Sequence, residues 1–221
     1  TRPRLPEPGR WKRALARPAA EDGAALDSIA QLLARADEII CPDAAAANAL
    51  GACAARVSVD AQAVAEADID SLLDAARTGL VDFSEGQLSI ERTRAMTVID
   101  VDGTAPPVDL NRAAARAIPQ ALRLFGISGP VGIDFVSMAS RADRQSVDGV
   151  LEAECRVLGA HERTAINGYG FCQIIRPRAS ASIPELLCGT TPGRLSVETQ
   201  ALSLLRMAAR ATGFGARSIV A

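Results

Sequence analysis

An α/β fold is predicted by three features of the 221-residue sequence. Its composition is globular, with 48% hydrophobic and 23% charged residues, and the chain is long enough to bury a substantial core. Short apolar runs of strand length alternate with amphipathic runs of helix length. The order strand, helix, strand recurs, which is typical of layered α/β units. Aromatic residues make up only 3% of the chain, so aliphatic side chains must supply most of the core.

Helices and strands are expected to alternate in the first part of the chain, after an irregular segment rich in Arg and Pro at residues 1–20. Pro42 should end the first strand, and Asp43 can cap the helix that follows. The expected elements are a helix over 24–36, a strand over 38–41, a helix over 43–55, a strand over 56–59 and a helix from Asp68 or Asp70 to Gly79.

Longer strands are expected from Gly86 onward. The expected elements are adjacent strands over 87–90 and 95–101, a helix over 110–125, a strand over 131–138, a helix over 146–158, a strand over 165–175 broken at 168–170, a loop over 177–195, a helix from Ser196 to about residue 213 and a strand over 218–220. The helix over 110–125 is long enough for a crossover connection, which can place the strands before and after it side by side.

The charge and the motifs exclude two classes of function. The formal net charge is −2 and the pI is near 5.5, whereas proteins that bind nucleic acid mainly through its phosphates usually have a basic excess. A nucleic-acid role would therefore depend on a local patch, a metal ion or a separate domain. No Gly-rich phosphate loop follows a strand, which argues against a nucleotide-binding enzyme.

The cysteines and the hydrophobic pattern predict a cytoplasmic protein with reduced thiols. The five cysteines are odd in number, widely spaced and without a CxxC pair, so neither disulfides nor a zinc site is expected. No run of eighteen apolar residues and no apolar signal-peptide region occurs, so no membrane association is expected. The cysteines are Cys41, Cys53, Cys155, Cys172 and Cys188.

Two of the expected strands carry carboxylates, in the segments TVIDVDG at 97–103 and VGIDFV at 131–136. Aspartate is unfavourable in strands, and burying an unpaired carboxylate costs several kcal/mol, so a compensating partner is expected. Asp100 and Asp102 are two residues apart and therefore share one face of their strand. If the strand of Asp134 lies alongside, the three carboxylates converge.

A hard divalent cation is the simplest partner for such carboxylates, because like charges repel. Mg²⁺ binds through one or two carboxylates and keeps several waters, which leaves positions for a substrate phosphate. It can polarise a phosphoryl oxygen and lower the pKa of an attacking water. The alternative is that Asp100 and Asp134 cap strand ends and accept hydrogen bonds from neighbouring amides. The pattern alone leaves both interpretations open.

The same segments resemble the catalytic core of the ribonuclease E/G family of bacterial endoribonucleases. The stretch LSIERTRAMTVIDVD at 88–102 is similar to a family pattern that ends in Ile-Asp-Val-Asn. Further motifs follow in the family's order and spacing over more than half of the chain. These motifs are Leu110-Asn111 with the helix after it, GIDFVSM at 132–138, INGY at 166–169, PELLCG at 184–189 and VET at 197–199.

The resemblance implies three structural units. They are an RNase H-like subdomain over 1–85, a DNase I-like catalytic subdomain with a mixed sheet over 86–178, and a linker with a small αβ remnant of the dimerisation domain over 179–221. A homodimer is therefore one expected assembly.

The resemblance also implies an activity, namely a Mg²⁺-dependent endoribonuclease (a hydrolase) that cleaves phosphodiester bonds in single-stranded RNA during RNA processing and decay. Asp100 and Asp134 match the two aspartates that bind the ion in the family, with Mn²⁺ as an alternative ion. Asp102 matches the Asn that orients them. These three aspartates are the expected catalytic residues.

The chain departs from the family pattern at several points. Asp102 replaces Asn and adds a negative charge beside the ion. The paired zinc-link cysteines should follow Cys188, but the sequence there is GTTPG at 189–193, so no zinc is expected. No segment resembles the family's OB-fold RNA-binding domain or its 5′-phosphate sensor. These departures, with the net acidity, favour an alternative function: a non-catalytic relative that binds RNA or a protein partner.

Three arginines are candidates for contacts to RNA phosphates. They are Arg176, Arg178 and Arg194. Their alternative role is that of solvated loop residues.

Overall fold

The computed structural model of the protein describes residues 38–49, 56–178 and 181–210. The predicted irregular segment at 1–20, the helix over 24–36 and the strand over 218–220 lie outside the described residues. So does Cys53, whereas the other four cysteines are buried free thiols.

A two-stranded parallel sheet forms the first described unit. Strand β1 (Glu38–Cys41) and strand β2 (Arg56–Val59) are the two strands predicted from the sequence. The helix between them, α1 (Ala44–Ala49), begins after Asp43, whose Oδ1 accepts a hydrogen bond from the Ala46 N–H at 2.7 Å. Two helices follow, α2 (Ala61–Glu66), which was not predicted, and α3 (Ile69–Thr78), which ends at Gly79 as expected.

A six-stranded mixed sheet forms the body of the protein, in the order β3-β4-β5-β6-β8-β7. Only the central pair β5–β6 is parallel, and the other pairs are antiparallel. The strands are β3 (Leu80–Asp82), β4 (Gly86–Arg92), β5 (Thr97–Gly103), β6 (Gly129–Asp134), β7 (Glu162–Arg163) and β8 (Phe171–Arg176). The predicted adjacent strands at 87–90 and 95–101 are confirmed as the hairpin β4–β5.

The crossover between β5 and β6 is helix α4 (Pro107–Leu124), which starts with Pro107 at its first position. The prediction of a crossover helix and of neighbouring strands on either side of it is therefore confirmed. Helix α4 contacts β4 and β5 and packs closely against α5 (Arg141–Cys155). The largest fully buried side chains come from the sheet and these two helices; they include Leu88, Ile99, Leu110, Ile118, Leu122, Ile133, Leu151 and Ile174.

The predicted loop over 177–195 is wrong in its centre, because it contains helix α6 (Ile183–Cys188). Ser182 and Glu185 form a capping box: the Ser182 hydroxyl accepts from the Glu185 N–H, and the Glu185 carboxylate accepts from the Ser182 N–H at 2.8 Å. Helix α7 (Val197–Arg210) follows, and Ser196 accepts a hydrogen bond from the Thr199 N–H as predicted for its cap.

Three predicted boundaries are also wrong. Strand β6 ends at Asp134 instead of 138, because the backbone of Val136 bonds to a side chain of α4 and not to a neighbouring strand. Strand β8 begins at Phe171 instead of 165, because Asn167 closes a turn before it. Helix α5 begins five residues early, since the Ser140 hydroxyl accepts from the Asp143 N–H at 3.0 Å and caps it.

A bilayer-spanning helix is not found in the described part of the chain, where no helix combines the necessary length and apolar character.

Candidate active site

Asp100 and Asp134 are direct partners across the parallel pair β5–β6. Residues paired in this way point to the same face of a sheet, and their Cα atoms lie about 4.8 Å apart. Both aspartates are exposed, whereas Ile99 and Ile133, which point to the opposite face, are fully buried. The sheet therefore places two carboxylates side by side toward solvent.

The two aspartates belong to a row of paired residues that crosses four strands. Ser89 of β4 pairs with Asp100, and Phe171 of β8 pairs with Asp134. We call the face that carries these four residues the open face. The other face of the sheet carries the core against α4.

No counter-charge neutralises this acidic pair within the described residues. Neither the Asp100 carboxylate nor the Asp134 carboxylate accepts a hydrogen bond or forms an ion pair there. The alternative prediction, that both carboxylates accept hydrogen bonds from neighbouring amides, therefore finds no such bond in the described chain. Two adjacent unpaired carboxylates repel each other, and a bound cation relieves that repulsion.

Asp102 lies on the same face, two residues beyond Asp100, and is exposed. Its Oδ1 accepts a hydrogen bond from the Gly103 N–H at 2.8 Å. No group of three or more His, Cys, Asp or Glu side chains in the described ranges is placed to hold a metal ion. The expected convergence of three carboxylates is therefore wrong: alternate residues of one strand are about 6.6 Å apart, so Asp102 lies beyond the pair.

The donor set of the remaining pair fits Mg²⁺. Carboxylate oxygens are hard ligands, and this ion needs only one or two of them because it retains waters in its other positions. Solvent exposure at the open face leaves room for those waters and for a phosphate. Mg²⁺ does not need all of its ligands from the protein. Two carboxylates without a third one beside them are therefore sufficient for a Mg²⁺ site.

Asn111 of α4 holds the chain that follows Asp134, and the sequence analysis did not single it out as a functional residue. Its buried side chain donates to the Val136 carbonyl oxygen at 2.7 Å and accepts from the Val136 N–H at 3.1 Å. The sequence indicates this role by placing a polar residue in the apolar stripe between Leu110 and Ala114. A buried side-chain amide needs hydrogen-bond partners.

The loop before β8 lies at the same end of the sheet as Asp134. The Asn167 side-chain oxygen accepts from the N–H groups of Tyr169 and Phe171, at 2.9 and 3.1 Å. The Gly170 carbonyl oxygen accepts from the Phe135 N–H at 3.2 Å. These bonds fix the loop against the residue that follows Asp134.

Two of the three candidate phosphate-binding arginines have partners within the protein. Arg176 donates to the carbonyl oxygens of Leu122, in the last turn of α4, and of Ile127, just after that helix. Arg178 donates to Glu185 at 2.7 Å. Their guanidinium groups are therefore used in holding α4 and α6, which argues against a primary role in binding phosphate.

Comparison with known proteins gives the same family as the sequence motifs. A model of the ribonuclease E/G family matches residues 43–179, more than half of the chain. Ribonuclease G of Haemophilus influenzae is 31% identical over 142 residues, which cover 56% of this chain and 28% of that protein. Ribonuclease G of Escherichia coli K12 is 32% identical over 134 residues, covering 52% and 26%. Ribonuclease E of a Nostoc species is 34% identical over 119 residues, covering 49% and 17%. The matched segments thus span less than a third of each relative.

Proposed function

Because this chain belongs to the ribonuclease E/G family, we propose that it is a Mg²⁺-dependent endoribonuclease. It hydrolyses phosphodiester bonds in single-stranded RNA, in RNA processing and decay. The observation that carries the proposal is the direct pairing of Asp100 with Asp134 on the open face. Two unpaired carboxylates at this position match the ligand requirements of a catalytic Mg²⁺.

The residues of the pair would act by binding and orientation. When bound, Mg²⁺ stabilises negative charge on the phosphoryl group and lowers the pKa of a water. Asp100 and Asp134 would be its protein ligands, and the backbone of β5 and β6 fixes the separation of these two residues. Asp102 lies outside this pair and contributes negative charge to the same face. Asn111 fixes the chain after Asp134 through Val136.

We also propose which metal ions the protein binds and how the chain divides into subdomains. Mn²⁺ can replace Mg²⁺ because both prefer oxygen ligands, and no structural zinc is bound. We assign residues 1–85 to an RNase H-like subdomain, 86–178 to a DNase I-like catalytic subdomain and 179–221 to the linker and small domain. Strand β3 pairs with β4 in the large sheet, so the sheet itself starts at Leu80, before the boundary between residues 85 and 86.

We further propose that the protein is a homodimer in the cytoplasm. Helix α7 presents Leu202 and Leu205, which are 55% and 64% exposed, and we assign this helix to a homodimer contact. A cytoplasmic location follows from the RNA substrate. Light scattering should give twice the chain mass, and a Leu202→Glu, Leu205→Glu variant should give the single mass. Wild-type protein that scatters as a single chain would exclude the dimer.

A second candidate function is that of a non-catalytic relative that binds RNA or a protein. The observation that favours it is that only two carboxylates come together, while Asp102 replaces the neutral residue of the family. Such a protein would bind RNA or its partner equally well with and without Mg²⁺.

The test is cleavage of a labelled single-stranded RNA by wild type, Asp100→Asn and Asp134→Asn, each with Mg²⁺ and with a chelator. The wild type should cleave only with Mg²⁺. Each variant should lose roughly 100-fold or more of the rate, a few kcal/mol of barrier. Ser89→Ala, which changes the same row without removing a charge, is the matched control and should stay within about threefold. A wild type that cleaves under no metal condition would support the non-catalytic function instead.

A further inference from the structure

The aromatic residues of the described chain are distributed unevenly. Three of the five are buried in the core, namely Phe83, Phe125 and Phe135. The other two, Tyr169 and Phe171, both lie at the end of the sheet that carries the acidic pair. In a protein with 3% aromatic residues, this placement needs a physical reason.

Phe171 is next to the acidic pair on the open face. It is the strand partner of Asp134 and is only partly buried. Its ring lies over Gly132, since a Cβ atom built at that glycine would be 2.8 Å from the ring Cζ and 3.1 Å from the Met96 sulfur. The absence of a side chain at Gly132 therefore leaves room over β6 for the Phe171 ring and for the Met96 sulfur. This forms an apolar floor directly beside two carboxylates.

Tyr169 is 86% exposed, so its ring contributes almost nothing to the packing of the described protein. Its backbone is nevertheless held by Asn167, whose side-chain oxygen accepts from the Tyr169 N–H at 2.9 Å. Gly170, with φ of 93°, approaches Phe135 so closely that a Cβ would be 2.6 Å from the Phe135 carbonyl oxygen. An exposed ring on a loop fixed in this way is suited to contact a ligand, because little entropy is lost on binding.

We infer that Tyr169 and Phe171 form a stacking subsite for nucleobases of single-stranded RNA, beside the phosphate held at Asp100 and Asp134. The inference rests on the proposed function, which places a phosphodiester at the acidic pair. Because Phe171 is the strand partner of Asp134, a base adjacent to that phosphate would be close to its ring. Stacking on aromatic rings helps proteins to hold single strands without reading sequence, because every base has a flat face. It adds a contribution to RNA binding that does not depend on the net charge of −2.

The two rings have different neighbours and therefore different roles in binding RNA. Phe171 lies over Gly132 and is only partly buried, so part of its ring is open to a base. Tyr169 is exposed on most of its surface and stacks on a base farther along the RNA. An unpaired base fits this subsite, whereas a base in a duplex is already stacked and paired. The subsite thus selects single-stranded RNA.

The experiment measures binding in Mg²⁺ with RNA whose phosphodiester linkages resist hydrolysis, so that the ion is present and binding does not depend on cleavage. A labelled ten-nucleotide RNA is titrated with wild type, Tyr169→Leu, Phe171→Leu and the conservative Tyr169→Phe and Phe171→Tyr. Each leucine variant should weaken binding about fivefold or more, while the aromatic replacements should restore it. Ile175→Ala is the matched control, because Ile175 is an exposed apolar residue on the same strand and face, four residues from Phe171.

A second ligand separates stacking from a general structural effect. The same titrations use a ribose-phosphate chain of equal length that lacks bases. The leucine variants should bind this chain as the wild type does. Equal losses for both ligands, unchanged binding by both leucine variants, or no RNA binding by the wild type would each overturn the inference. RNA binding that depends on Tyr169 and Phe171, without any cleavage in Mg²⁺, would uphold the subsite and refute the nuclease activity alone.

Discussion

The side-chain amide of Asn111 forms two hydrogen bonds with the backbone of Val136: it donates to the carbonyl oxygen at 2.7 Å and accepts from the N–H at 3.1 Å. Asn111 is fully buried in α4, and Val136 is two residues beyond Asp134. This contact ends β6 and connects the acidic pair to the helix that crosses the sheet.

Replacing Asn111 with Ala should lower the free energy of unfolding by about 3 kcal/mol. Both backbone groups of Val136 would lose their partner at a partly buried position, and each unsatisfied buried group costs about 1–3 kcal/mol. Urea denaturation checks this. Arg116→Ala, an exposed change in the same helix, should stay within about 0.5 kcal/mol of wild type. An Asn111→Ala variant as stable as that control would show that the contact is not important for the fold.

Two glycines should respond in opposite directions to the same Gly→Ala change. Gly170 has a positive φ and no room for a Cβ beside Phe135, so Gly170→Ala should destabilise the protein by about 2 kcal/mol or more. Gly149 lies within α5 with open space around it, so Gly149→Ala should stabilise by roughly 0.5–1 kcal/mol. Thermal unfolding of both variants provides the check. Equal effects at the two sites would contradict the loop geometry.

Glu185 should give the protein a pH dependence in the acid range. Partial burial alone raises the pKa of this carboxyl, but hydrogen bonds from Ser182 and the ion pair with Arg178 outweigh it and hold the pKa at about 2. Its carboxylate also pairs with Arg92 of β4 at 3.0 Å. The stabilisation is complete above the ordinary pKa of about 4.5 and is lost as the pH falls toward 2.

The variant Glu185→Gln should therefore be less stable than wild type at neutral pH, by about 1 kcal/mol, because the amide can keep the cap but loses the charge that pairs with Arg92 and Arg178. The difference should shrink as the pH is lowered from 4.5, which urea unfolding at several pH values can measure. Glu162→Gln, a change of an exposed carboxylate on the edge strand β7, is the control and should show no such trend. A constant difference at all pH values would assign the effect to something other than ionisation.

The central sheet could be predicted because its sequence pattern is regular. Buried Ile99 and Ile133 alternate with exposed aspartates, and the helix between their strands has the length of a crossover. The register that pairs Asp100 with Asp134 could not be predicted, because a shift of two residues would keep every side chain on its own face of the sheet.

Side-chain to backbone bonds account for most of the wrong boundaries. The end of β6 depends on Asn111, whose partner is distant in sequence. The start of β8 depends on Asn167, whose partners lie in a turn. Local sequence patterns show neither contact. Helix α6 was different, because Ser182 and Glu185 have the spacing of a capping box. Its pattern was present in the sequence but short, with only one turn of apolar residues behind it.

Asp102→Asn should leave an active enzyme. The Asp102 side chain accepts from the Gly103 N–H, which an Asn oxygen can also do, and it is not part of the proposed ligand pair. Loss of one negative charge from the open face should raise the Mg²⁺ concentration needed for half-maximal cleavage by about two- to fivefold, since exposed charges are screened by water. Cleavage rates measured against Mg²⁺ concentration test this. A loss of about 100-fold at saturating Mg²⁺ would instead make Asp102 part of the catalytic centre.

The central claim is that Asp100 and Asp134 share one divalent cation, and electron paramagnetic resonance of bound Mn²⁺ tests it without relying on activity. Wild type should bind one Mn²⁺ per chain, and Mg²⁺ should displace it. Asp100→Asn and Asp134→Asn should each weaken binding about tenfold or more while circular dichroism shows the fold intact, and Asp102→Asn should retain the site. Mn²⁺ binding that is equally strong in wild type and in both single-ligand variants would contradict the claim.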